Sequence, residues 1–109
     1  PDYIVANCTY SGGSTDELVP EIRDGAEWAG ITAVKDHHVY GTPYLPNNWI
    51  DRGPSVNRIL GVQWLANLVY PDYCAYDINE EAKDFFKTFY NEDITDAELN
   101  QILEYSVKY

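Results

Sequence analysis

"PYLPNNWIDRGPSVNR", residues 43–58, puts three prolines, three asparagines, Trp49 and two of the chain's three arginines into sixteen residues. Neither the 3.6-residue period of a helix nor the two-residue period of a strand can run through it. Upstream, "VYGT" (39–42) reads as a short strand. Downstream, Val56, Ile59, Leu60, Trp64, Leu65 and Leu68 read as a helix that Ser55 is placed to cap. The stretch is therefore a strand-to-helix connection. In open α/β folds such connections at the carboxyl ends of strands carry the ligand. The apolar residues after Ser55 fall on most faces of their helix, which predicts the most buried helix of the fold.

Composition narrows the functional classes. The chain has 109 residues and a formal net charge of -11, from 18 acidic and 7 basic side chains. Such a surface repels nucleic acid and anionic lipid. With 45% hydrophobic and 15% aromatic residues, the composition is that of one globular domain. No apolar run approaches the roughly 18 residues of a transmembrane helix, and no secretory leader opens the chain. Cys8 and Cys74 could pair, but two cysteines are too few for a disulfide framework.

The remaining segments predict a mixed α/β order. Asp2–Ala6 reads as a buried strand entering the polar "NCTYSGGST" (7–15). Ser14 and Glu17 have capping-box spacing, so a helix is expected from Thr15 to about Arg23, weakened by Pro20. A turn of helix and a tight turn at Asp36-His37-His38 precede the strand at 39–42. In the last third, Ala82, Phe85, Phe86, Phe89 and Tyr90 form one apolar stripe on a helix begun by Asn79, Glu80 and Glu81. Thr95 and Glu98 predict a second capping box, stapled by Ile94 and Leu99, and open the other half of a helical hairpin.

Catalytic and metal signals are sparse. "DINEEAKDFFKT" (77–88) starts like a calcium loop at Asp77, Asn79 and Glu81, but places Ala82 at the glycine turn and Thr88 at the bidentate glutamate. Adjacent His37 and His38 cannot easily face one ion. No serine, cysteine or histidine pattern names a nucleophile and its base, and "SGGS" is too little for a phosphate cradle. No metal, no catalytic residue and no resident cofactor is expected, and the chain does not read as an enzyme.

Four stretches in order, "PDYIV" (1–5), "WAGITAVKDHHVYGTP" (28–43), "NNWIDRGPSVNRILGVQWLANLVYP" (47–71) and "EEAKDFFKTFYNEDITDAELNQIL" (80–103), resemble the C-terminal part of ABC-importer substrate-binding proteins for iron–siderophores, haem and corrinoids. His37-His38 and Cys74 depart from that family's pattern. The resemblance implies an α/β fold with few strands, flanking helices and a C-terminal helical hairpin. It implies that residues 1–109 are a single truncated C-terminal lobe of a two-lobed protein, with the first lobe, the connecting helix and the opening strands of the second missing, which suits the abrupt start at Pro1.

The family's ligand lies between the lobes. By resemblance Tyr44, Asn48, Trp49 and Arg52 line that cleft, Trp49 as a flat apolar face and Arg52 as a forked cation, with a ferric siderophore, haem or a corrinoid as the expected ligand. ABC permease subunits are the expected protein partner, met by acidic Glu17, Asp24 and Glu27. The whole protein is expected to be extracytoplasmic, either periplasmic or a cell-surface lipoprotein. The rival reading is an extracellular carbohydrate-binding or protein-interaction module, since exposed tyrosine and tryptophan also suit sugar stacking.

Overall fold

The computed structural model describes residues 1–7, 15–51 and 55–109, with side chains from Glu17 onward in the second stretch. Among them are β1 (Ile4–Ala6), α1 (Thr15–Asp24), α2 (Thr32–Lys35), β2 (Val39–Gly41), α3 (Asn57–Val69), α4 (Ile78–Tyr90) and α5 (Asp96–Ile102). They form two compact units, Pro1–Thr42 with Tyr105–Tyr109, and Pro43–Glu104. The expected α/β fold of few strands and flanking helices is present. No helix of the described residues is long and apolar enough to cross a membrane.

The first is a βαβ unit. β1 and β2 run parallel, pairing Ile4 with Val39, Val5 with Tyr40 and Ala6 with Gly41. Parallel strands cannot be joined by a hairpin, so α1 and α2 make the crossover. Ala6, Val19, Ile22, Ala33 and Val39 form the core beneath it. Pro20 removes one hydrogen bond from α1 without ending it, and the helix continues to Asp24. The predicted Ser14 cap and Cys8 lie outside the described residues. β1 starts two residues later than expected. At the predicted tight turn His37 takes a left-handed conformation, φ 59°, and the His38 N–H returns to the Ala33 carbonyl at 2.7 Å. The C-terminal residues close the end of β2. Gly41 N–H donates to the Tyr105 carbonyl at 2.7 Å, and the Ser106 hydroxyl donates to the Gly41 carbonyl at 2.6 Å.

The second unit is helical. α3 buries Asn57, Leu60, Gly61, Trp64 and Leu68, while Ile59 and Val62 are 55% and 66% exposed. The helix expected to be the most buried does bury more residues than α4, but on one face, and its apolar residues on the other face are not covered. A hollow of about 510 Å³ runs along its other face past Ile50, Arg58, Val62, Leu65 and Tyr70. Ser55 does not cap α3. The N-cap is Val56, with no side-chain cap bond. The Asn67 amide spans the α3–α4 connection by donating to the carbonyls of Cys74 and Tyr76.

The calcium-like start of the next segment is an N-cap. Asp77 Oδ1 accepts from the backbone N–H groups of Asn79 and Glu80 at 3.1 and 3.2 Å, satisfying donors that the first turn of α4 cannot pair internally. Ala82, Phe85 and Phe86 of the aromatic stripe are buried, but Phe89, at its edge, is half exposed. Asn91 ends α4 in a left-handed conformation, φ 54°, with its N–H on the Lys87 carbonyl. Thr95 and Glu98 form the predicted capping box of α5, and Leu99 and Leu103 face inward. Lys83 reaches from α4 to Asp96 at the start of α5, 2.8 Å away, and that contact raises the lysine's pKa.

Candidate functional site

The connection from Pro43 to Asp51 is irregular in sequence but densely braced. The Leu45-Pro46 peptide is cis. Trp49 N–H donates to the Pro43 carbonyl and its indole Nε1–H to the Leu45 carbonyl, both at 3.0 Å. Asn48 Oδ1 accepts from the N–H groups of Ile50 and Asp51 at 2.9 and 2.7 Å, the local turn that asparagine side chains favour. The loop is thus closed upon itself by two side chains, one indole and one amide.

α3 supplies the floor. At its first residue the Asn57 amide donates to the Asn47 carbonyl at 3.1 Å, and the Tyr90 hydroxyl of α4 donates to Asn57 Oδ1. One turn on, an ideal Cβ built at Gly61 would lie 1.9 Å from the Trp49 carbonyl oxygen. Only glycine lets the loop backbone lie this close to the helix. Asn57, Gly61 and Tyr90 were missed as loop supports in the sequence. A glycine inside an apolar helical pattern was the available signal.

The expected ligand residues do not share one environment. Tyr44 is 48% exposed, whereas Asn48 is buried and Trp49 is wholly buried. In this structure Trp49 braces the loop from inside the helical unit instead of presenting a face to solvent. Arg52 lies outside the described residues. Arg58, the second residue of α3, is exposed. The expected docking residues Glu17 and Asp24 sit seven positions apart on α1, hence on one face, and Glu27 follows in the turn beyond; all three are exposed. No group of three or more potential metal ligands occurs among the described residues. The indoles of Trp49 and Trp64 are buried, so neither offers the platform that a sugar-binding module needs.

The architecture has solved counterparts. An ABC transporter solute binding protein from Sulfurospirillum deleyianum superposes with a TM-score of 0.81 over 95% of this chain, at 29% identity, and the match spans 30% of that protein. A periplasmic solute binding protein from Veillonella parvula matches 97% of the chain with a TM-score of 0.74 and 30% identity, over 32% of its own length. This chain resembles part of an ABC-importer solute-binding protein. Among curated proteins, the molybdate-binding protein MolA of Haemophilus influenzae is 32% identical over 75 residues, which is 68% of this chain and 21% of MolA. No family model matches. The chain spans between about a fifth and a third of the proteins it resembles.

These likenesses bear out an α/β fold of few strands and flanking helices, shared with part of an ABC transporter solute binding protein and part of a periplasmic one. They correct the iron–siderophore, haem and corrinoid class, because the curated relative is a molybdate-binding protein. The physical reason lies in what carried that expectation. Trp49, Trp64 and Phe86, prominent in the quoted stretches, are core residues here. They fix the scaffold, and a scaffold does not select a ligand.

Proposed function

We propose that these 109 residues form the later part of the second lobe of an ABC-importer solute-binding protein that captures a small oxyanion of the molybdate kind. The observation that carries the reading is the 32% identity to a molybdate-binding protein over 75 residues. A chain of net charge -11 repels a free anion, so capture must come from dense local donors. The N–H groups of Ile50 and Asp51 are already committed to Asn48. Among the loop's side chains, the Tyr44 hydroxyl and the Arg52 guanidinium are the donors assigned to the anion, the guanidinium because its planar fork suits two oxygens of one anion. Asn48 and Trp49 serve the site by holding the loop in one shape, which lowers the ordering cost of binding. Acidic Glu17, Asp24 and Glu27 are the surface offered to basic residues of the permease subunits.

A ligand that binds only the folded protein raises its melting temperature. Molybdate added to the full-length protein should raise that temperature in a concentration-dependent way, and Arg52→Ala should remove most of the rise. An equal rise in the variant would take Arg52 out of the site.

A further inference from the structure

Arg23, in the last turn of α1, is held on two sides. Its Nε–H and one Nη2–H donate to the Val39 carbonyl oxygen at 3.1 and 2.7 Å. Its guanidinium carbon lies 3.4 Å from the centre of the Tyr109 ring and 5.7 Å from that of Tyr105. One edge and one face of the guanidinium are therefore taken. The end edge, formed by Nη1 and the second Nη2 proton, has no acceptor among the described residues, and no carboxylate there forms an ion pair with it. In a chain with 18 acidic side chains, a half-buried arginine without an acid partner is out of the ordinary. That end edge is one of the two edges through which a guanidinium binds carboxylates and phosphates by two parallel hydrogen bonds.

Arg23, Asp24, His37, Tyr105 and Tyr109 line a hollow of about 510 Å³ within the βαβ unit. The left-handed backbone of His37 sets its ring edge-on to Tyr109, with centroids 5.3 Å apart. We propose that this hollow is an anion site, distinct from the 43–52 loop, that takes a small carboxylate or tetrahedral oxyanion end-on at Arg23. His37 and Tyr105 add N–H and O–H donors to its wall, and Tyr109 holds the guanidinium plane. Asp24 opposes the anion and sets the affinity low. The site depends on the βαβ unit alone and not on what the loop binds.

The test uses the full-length protein, isotopically labelled so that the Arg23 Nε–H resonance is followed. It is titrated with sodium acetate, sodium phosphate or sodium chloride at matched ionic strength. Saturable shifts at Arg23 and at the amides of residues 34–38 are expected with acetate, phosphate or both, the responding salt naming the ligand chemistry, and not with chloride. Arg23→Gln should abolish them. Asp24→Asn should tighten the dissociation constant by about fivefold, the effect of one unit charge removed at contact in water. The Asp24 variant keeps the test decisive should Arg23→Gln fail to fold. Shifts that follow ionic strength alone, or an affinity unchanged in Asp24→Asn, would overturn the site.

Discussion

The carbonyl oxygen of Trp49 occupies the space that a side chain on Gly61 would need, 1.9 Å from the ideal Cβ position. The neighbouring atom is backbone, and it cannot swing aside as a flexible side chain would. Gly61→Ala should therefore cost about 1–3 kcal/mol or more by overpacking, although alanine is the better helix former by about 1 kcal/mol. Urea denaturation reads the sign directly. A stabilised Gly61→Ala protein would mean that loop and helix do not meet in this way.

Two aromatic residues of the same loop should behave oppositely. Trp49 is wholly buried, so Trp49→Ala should destabilise the protein by about 3–5 kcal/mol. Tyr44 is half exposed, and Tyr44→Ala should change stability by no more than about 0.5 kcal/mol while weakening oxyanion binding. Melting temperature and ligand affinity, measured on both variants, separate the bracing residue from the contacting one.

Tyr90→Phe removes the donor to buried Asn57 Oδ1. The expected loss is about 1–3 kcal/mol, because a buried acceptor is left unpaired. Asn57→Ala should cost more, since it also frees the Asn47 carbonyl. Because the two residues touch, the double variant should be less destabilised than the sum of the single losses. Strict additivity in chemical denaturation would contradict the contact.

Much of the scaffold was legible because it rests on local rules. The Thr95/Glu98 box, the turn at His37 and the inward Phe85 and Phe86 all follow from spacing within one turn of chain. What failed depended on distant neighbours. Ser55 has cap chemistry, yet α3 begins after Val56. Phe89 obeys the stripe's period but lies at its edge. Trp49 looked like a contact surface because an indole in a polar loop suits both roles, and only the position of its Nε1–H on the Leu45 carbonyl gives it a bracing role here. The ligand class was least legible, since the residues that carried the family pattern are mostly core.

The capping box also gives a pH dependence. Backbone and side-chain hydrogen bonds from Thr95 hold Glu98 below the ordinary glutamate value of 4.5. A carboxyl lowered in the folded state contributes stability above its unfolded pKa and loses it as pH falls through the folded one. Acidification from neutrality through pH 4.5 and below should therefore fray α5. Glu98→Gln should abolish that part of the acid dependence while keeping some of the cap. An unchanged acid profile in the variant would place the dependence elsewhere.

Calorimetric titration of the full-length protein with molybdate, repeated on Arg52→Lys and Arg52→Ala, tests the central claim most directly. The account predicts saturable binding by the unaltered protein, partial affinity in Arg52→Lys, which keeps the charge but loses the planar fork, and the weakest binding in Arg52→Ala. Absence of molybdate binding by the unaltered protein, or one affinity across all three proteins, would contradict it.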